Sequence, residues 1–373
     1  MRKKTGMVLS SVMLMSMLSG CVGTPVVYNS TCDCNSEECM ALLEEILAEV
    51  KENKVVQIIP SQDAEVTDEA VKTGLSVVVS LADSTSADED NEGAAKYDVT
   101  VVAVSVDDNG VIDSCRIDSI PATVNFDAEG VITTDLATEI LTKNELGDSY
   151  GMKLYGGASY EWYEQAAALA EYAEGKTIDE LKNGAVGETG KAVDADLAST
   201  ATIYLGGYVD AIEEAVNQAQ HLGAKKGDEL RLAVMSNIES STSADGETAG
   251  TAQLDSDIAA LTLNDGIITS CYLDSIQAKI AFDAEGAITT DLEAEVLTKN
   301  ELGDNYNMKL YGGAIGEWYE QAAAFSAYVT GKTAEEVAGI AVNEKTAPTD
   351  ADLASSVTIA IGGYKALVEK AAE

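Results

Sequence analysis

The chain has 373 residues, 46% of them apolar, which is enough for two domains with real cores and too apolar for global disorder. Its formal net charge of −41 repels nucleic acid and anionic head groups and attracts cations, cationic peptides and basic partners, although an acidic surface also serves solubility alone. The single histidine, His221, excludes a histidine-based triad or a multi-histidine metal site in each half.

Arg2, Lys3 and Lys4 precede a short apolar run, Met7 to Leu18. The run is too short and wrongly flanked for a stable transmembrane helix, so residues 1–20 read as an export signal. Leu18-Ser19-Gly20-Cys21 closes it and resembles the lipobox of bacterial lipoproteins. That resemblance implies cleavage before Cys21, acylation of Cys21, a partner in membrane lipid, and display on the extracytoplasmic face of a bacterial cell membrane. Ordinary secretion with Cys21 incidental is the alternative. Residues 21–69 then form a linker carrying Cys32, Cys34 and Cys39, whose spacing fits no zinc site well and reads as redox-labile chemistry. Asn35, with Glu38 three positions on, opens an amphipathic helix with the stripe Cys39, Leu42, Leu43, Ile46, Leu47 and Val50. At a reach of roughly 25 Å, this helix docks on the first domain or pairs with another chain.

The remainder is written twice. Lys143-Asn144-Glu145-Leu146-Gly147-Asp148 returns 156 positions later as Lys299-Asn300-Glu301-Leu302-Gly303-Asp304, and Trp162 returns as Trp318. Upstream, Ser84-Thr85-Ser86-Ala87-Asp88 matches Ser241-Thr242-Ser243-Ala244-Asp245 with an offset of 157. The one-residue difference belongs most simply in the turn Asp107-Asp108-Asn109-Gly110 against Asn264-Asp265-Gly266. Two homologous domains follow, residues 70–222 and 227–373, each expected to close its own core because the period far exceeds that of solenoid repeats.

In chain order, each copy opens with β signals. Leu75 to Leu81 is valine-rich, Asp83 to Gly93 reads as a loop, and Val99 to Val106 and Val111 to Ile117 flank the hairpin signal Asn109-Gly110. A second short pair, Ala122–Phe126 and Val131–Thr133, surrounds Asp127-Ala128-Glu129-Gly130. Helical spacing then takes over from Glu161 to Ala173, and Thr177-Ile178-Asp179-Glu180 and Thr333-Ala334-Glu335-Glu336 read as capping boxes. A closing helix spans Tyr208 to Ala219. The expected fold is α+β: two tandem domains, each an antiparallel hairpin-rich sheet followed by packing helices. Cys271 alternates with Leu273 on a strand and reads as a small buried hydrophobe.

The best-matched block concentrates aromatic residues. Tyr150, Tyr155, Trp162, Tyr163 and Tyr172 are echoed by Tyr306, Tyr311, Trp318, Tyr319 and Tyr328, with Gly156-Gly157 and Gly312-Gly313 between them. One reading is an aromatic-lined ligand pocket into which the glycines admit a close backbone; the other makes Trp162 and Tyr172 core anchors. Glu161 and Glu164 read as a solvated helix face. Asp88-Glu89-Asp90-Asn91-Glu92-Gly93 begins like an EF-hand loop, but its twelfth position is Val99 and the second copy shortens the run, which argues against a dedicated calcium site.

Asp196-Leu197-Ala198-Ser199-Thr200-Ala201-Thr202 and Asp352-Leu353-Ala354-Ser355-Ser356-Val357-Thr358 stand before the last helix of each copy. In these segments and in element order, each copy resembles the small FMN-binding domains of bacterial surface electron-transfer lipoproteins. In that family an Asp-x-x-[Ser/Gly]-Gly-Ala-Thr-type segment receives FMN on its threonine. The resemblance implies Thr202 and Thr358 as attachment points, FMN as cofactor and a redox partner; both segments lack the Gly-Ala-Thr core. The plainer reading is a turn with aspartate and serine caps. No nucleophile–base pair, phosphate loop or metal cluster recurs in both copies, so the expected role is non-catalytic binding of a cationic or polymeric surface ligand. Tandem modules would raise its avidity. The rivals are a flavin redox module and a structural surface spacer.

Overall fold

The computed structural model describes residues 69–372 together with two short strands, β1 (Val26–Asn29) and β2 (Val56–Ile59), which pair in parallel. Cys21, the helix expected from Asn35, and Cys32, Cys34 and Cys39 lie outside the described residues. Both copies lie in one compact unit, separate from the segment that carries β1 and β2. Among the described residues no helix is long and apolar enough to cross a membrane.

The first copy opens with β3 (Lys72–Ser80), β4 (Gly93–Val106) and β5 (Ile112–Phe126), antiparallel in that order. Then come α1 (Lys143–Leu146), a 3-10 turn at Gly147–Tyr150, α2 (Met152–Gly156) and α3 (Trp162–Ala173). The copy closes with α4 (Ile178–Ala185), α5 (Ala195–Thr200) and α6 (Gly206–Asn217). The second copy repeats the order with β6 (Glu229–Asn237), β7 (Gly250–Asn264) and β8 (Ile267–Phe282). Its helices are α7 (Lys299–Leu302), α8 (Met308–Gly312), α9 (Trp318–Val329), α10 (Ala334–Ala338), α11 (Ala351–Ala354) and α12 (Gly362–Ala372). The architecture is α+β, with two similar sheet-then-helix units in tandem.

The hairpin turn absorbs the extra residue as expected. Val106 pairs with Ile112 around Asp107–Val111 in the first copy, whereas Leu263 pairs with Ile268 in the second. Asp265 and Gly266, at φ of 48° and 78°, supply the positive-φ pair that a two-residue hairpin of this hand needs. The two strands expected at Val111–Ile117 and Ala122–Phe126 prove to be one, β5, which runs through Pro121. Proline is tolerated because β5 is at the edge of its sheet and need not donate on its open side.

The expectation that each copy closes its own core is corrected. Val99, Val101, Ala103, Ile120, Val124 and Phe126 pack with Leu230, Val234, Ile258, Ile276, Ile280 and Phe282 in one cluster between the two sheets. The outer faces carry separate helix-covered clusters: Val102, Val104 and Ile117 lie under Trp162, Leu169 and Ile212, and Ala259, Leu261 and Leu273 lie under Trp318, Phe325 and Leu367. The layers therefore run helix, sheet, sheet, helix. Each copy has helices for only one face of its sheet, and the other face buries its apolar side chains against the sister sheet. Burial on both faces also explains why β4 reads as a nearly continuous valine run.

The seam between the copies is reciprocal. Phe126 and Phe282 stack with ring centroids 4.0 Å apart and planes 1° apart. Ala87 N donates to Gly286 O and Ala244 N to Gly130 O, both at 2.8 Å. Ser243 Oγ accepts from Ile132 N and Ser86 Oγ from Ile288 N, both at 2.9 Å. Paired contacts of this kind are what a two-fold relation between equivalent surfaces produces.

Cys115 and Cys271 are both buried, and burial pushes their thiols up to about 12. They stay neutral and act as small apolar side chains. The acidic loop at Asp88 uses its carboxylate internally, Oδ1 accepting from Asp90 N and Asn91 N at 2.8 Å each.

Candidate functional site

The aromatic block is assembled from α1 upward. Thr142 Oγ1 accepts from Glu145 N at 3.2 Å and Glu145 Oε2 accepts from Thr142 N at 2.8 Å, a closed capping box. Beneath it, Asp118 Oδ1 on β5 accepts from Asn144 N at 3.1 Å, while Asn144 Nδ2 donates to Ile117 O at 2.9 Å. The second copy repeats this through Asp274, Asn300 and Leu273 at 3.2 and 2.8 Å. Burial raises the Asp118 carboxyl above its ordinary value and pushes Asp274 up to about 7, because little water reaches either and the hydrogen bonds to them only partly compensate.

Lys143 then turns inward. Its Nζ lies 5.4 Å from the Tyr150 ring centroid, 5.3 Å from that of Trp162, and 3.2 Å from Asp98 Oδ1. Lys299 holds the same place, 5.4 Å from Tyr306 and 5.3 Å from Trp318. Their charges are balanced differently. Burial is the largest influence on Lys143 and lowers it, but Asp98, Tyr208 and Tyr150 together outweigh burial and raise the lysine; burial wins at Lys299, which is lowered despite Asp257 and Asp255.

These contacts split the predicted aromatic set. Trp162 and Trp318 are each 2% exposed, and their Nε1 atoms donate to Tyr208 Oη and Tyr364 Oη at 3.0 Å. They are core side chains joined to Tyr150 and Tyr306 through the lysines. Tyr155 and Tyr311 point the other way, 84% and 83% exposed, beside Leu154 and Leu310 at 75% and 69%. The glycines serve backbone geometry rather than close approach. Gly157 and Gly313 take φ of 64° and 61°, and a Cβ at either would meet nothing within 4 Å. Gly156 and Gly312 would meet only a methionine Cγ, at 3.8 and 3.7 Å.

Glu161 is not part of a solvated face. It is 2% exposed, and its carboxylate accepts from Met152 N at 2.7 Å and Lys153 N at 3.1 Å, so it holds the first turn of α2. Its own N–H donates to Glu164 Oε2 at 2.7 Å, which caps α3 in the same stroke. Glu317 does the same for Met308 N and Lys309 N at 2.7 and 3.2 Å. Each exposed Leu–Tyr pair is thus presented on a short helix clamped from below by a buried carboxylate. Glu164, which is more open, pairs with Lys153 at 2.9 Å.

Gln165, one turn further, is the residue that sequence reasoning missed entirely. Its Oε1 accepts from Thr202 N at 2.7 Å, Thr202 Oγ1 at 3.1 Å and Ile203 N at 3.1 Å. Its Nε2 donates to Tyr160 O at 3.0 Å and Met152 Sδ at 3.3 Å. Gln321 makes the equivalent bonds to Thr358 N, Thr358 Oγ1 and Ile359 N at 2.8, 3.1 and 3.2 Å. Thr202 and Thr358 are exposed, yet both are tied through one amide to the loop beside the Leu–Tyr tip. The helix before them is capped by Asp194 and Asp350 rather than by Asp196 or Ser199. Replacing Gln165 with leucine strips three donors of the acceptor that this fully buried side chain supplies, and a loss of about 1–3 kcal/mol in unfolding free energy is expected by denaturant titration. A neutral result would mean water replaces the amide.

No family model matches the chain, and no solved structure matches it. One curated relative, the chlorophenol reductase of Desulfitobacterium hafniense, is 28% identical over 122 residues, covering 30% of this chain. The matched region is 36% of that protein, so the chain spans about a third of its length.

Proposed function

We propose that the chain is a lipid-anchored, extracytoplasmic tandem-domain binding protein that works by contact rather than by catalysis. The observation that carries this reading is the pair of Leu154–Tyr155 and Leu310–Tyr311 tips, clamped by Glu161 and Glu317 at the same place in both copies. Large apolar side chains held rigidly in water cost solvation free energy, and such side chains commonly anchor a partner surface. Asp148 stands beside the first tip and Asp304 beside the second with no lysine partner among the described residues, whereas Glu164 and Glu320 are paired with Lys153 and Lys309, so the two aspartates suit a ligand with apolar and cationic groups. Two such sites on one body favour a repeated ligand, such as a surface polymer. Retention of the full chain on insoluble cell-wall polymer and on a tyrosine- and lysine-containing peptide tests it. Leu154→Asp combined with Leu310→Asp is expected to weaken that retention by about tenfold or more. Unchanged retention would remove the tips from the function.

A second reading, flavin-linked redox, draws on the placement of Thr202 and Thr358. Each is exposed and has its hydroxyl oriented by a buried glutamine. Lys191 Nζ lies at Thr202 O, 3.1 Å away, where an anionic phosphate would need a cation; Ala347 stands at that position in the second copy. The residues of the first copy therefore suit FMN better than those of the second. Flavin bands in the visible spectrum that vanish in Thr202→Ala would establish it, and a colourless protein after growth with excess FMN would sink it.

A further inference from the structure

The seam is reciprocal in its packing but not in its charges. Lys370 on α12 of the second copy forms an ion pair with Glu145 on α1 of the first, and its Nζ also donates to Val234 O at 2.6 Å. Glu145 is the residue that closes the α1 capping box, so this ion pair pins the segment leading to the first tip. The duplication places Glu214 on α6 where Lys370 stands, and Glu301 on α7 where Glu145 stands. On that side two carboxylates meet. The two-fold relation of the seam sets Glu214 toward Glu301 as it sets Lys370 against Glu145, and Glu295 adds further negative charge there. Gln218 Nε2 donates to Glu214 Oε1 at 3.1 Å, Asp274 sits beneath α7, and Tyr272 faces Glu301 from β8. Lys299, like Lys143 in the first copy, is turned toward the aromatic rings and does not balance these carboxylates.

We propose that the seam holds an asymmetric, proton-operated clasp: the Glu145–Lys370 side stays closed, whereas the Glu214–Glu301 side closes when one carboxyl holds a proton and opens when both ionise, loosening α7 and the tip segment through Tyr311. Two carboxylates in contact cannot both ionise without repulsion, while a shared proton makes a short, strong O–H···O⁻ bond. Burial first, and Glu301 next, raise the Glu214 carboxyl. A raised folded-state value means stabilisation that is complete in acid and lost as pH rises through that value. Asp274, pushed up to about 7, acts in the same sense, so the window runs from the ordinary glutamate range to neutrality. Glu145 runs oppositely. Burial opposes its charge, but Lys370 and Thr142 lower it overall, so its contribution persists at neutral pH.

Hydrogen–deuterium exchange on the full chain, at about pH 5 and about pH 8 and corrected for intrinsic rates, tests the clasp whatever the tips bind. Peptides over 297–313 are expected to lose about tenfold more protection on alkalinisation than those over 141–157, and Glu214→Lys separates the part due to the Glu214–Glu301 pair from the part due to Asp274 beneath α7. Glu214→Lys, which copies Lys370, should remove most of the difference, leaving only what Asp274 contributes. An equal response of the two segments, or a difference undiminished in Glu214→Lys, overturns the proposal. If Glu214→Lys loosens the shared-core strands, Glu214→Gln decides: it keeps a hydrogen-bonding group without the repulsion and should flatten the response, and an unflattened one counts as refutation.

Discussion

Replacing Phe126 with alanine is expected to lower the free energy of unfolding by about 3–5 kcal/mol, and to do so for both copies in a single transition. The ring is fully buried and stacks on Phe282 at the centre of the cluster shared by the two sheets. Its removal opens a cavity that neither sheet can close alone, because β5 and β8 are each held in register by their own ladders. The site is also tight. A Cβ built on Gly93 would lie 2.3 Å from Phe126 Cε2, and one on Gly250 would lie 2.2 Å from Phe282 Cε2, so alanine at either glycine should destabilise through overpacking. Denaturant unfolding followed by tryptophan fluorescence is well suited, since Trp162 and Trp318 report one helix layer each. Two separated transitions, with the Trp318 signal unmoved by Phe126→Ala, would show that the copies fold independently after all.

The second large effect falls on Glu161. Its carboxylate satisfies two main-chain donors of α2 and forms the N-terminal cap of α3 from a site with almost no water. Glu161→Ala leaves those N–H groups without a partner, and a loss of about 2–3 kcal/mol is expected, concentrated locally. Amide exchange should rise over 151–157 while the β4 and β5 strands stay protected. Glu161→Gln keeps the shape and one acceptor oxygen but loses the charge, so it should fall between wild type and alanine. Under the binding reading, Glu161→Ala also frees Leu154 and Tyr155 to sample many conformations, which weakens retention through lost preorganisation rather than lost contacts. Equal protection of 151–157 in both variants would mean that the tip is held by something other than this carboxylate.

Much of the fold was legible from local chemistry. The hairpin turn with its one-residue difference, the capping boxes at Thr177 and Thr333, and the helix beginning at Glu161 all depend on residues close in sequence, where side chain and backbone meet within a turn. The candidate site was only partly legible. Repetition pointed to the right block and to Tyr155 and Tyr311, but it could not separate rings facing the core from rings facing water. Gln165 and Glu161 carry no local signal: glutamine and glutamate on a helix ordinarily face solvent, and only the loops folding back over α3 turn them into buried acceptors. Repetition of both residues in the second copy, as Gln321 and Glu317, was the one available clue.

The sequence by itself therefore determined the duplication, the sheet-then-helix order and the acidic character, because repeat offsets, hydrophobic periodicity and charge are properties of the chain. Only the tertiary structure decided that the copies share a core, since each three-stranded sheet has a second apolar face that local pattern cannot assign to a partner. It also decided that Lys370 meets Glu145 on one side of the seam while Glu214 meets Glu301 on the other. Both pairings join residues far apart in the chain, and long-range electrostatics depends on which surfaces meet.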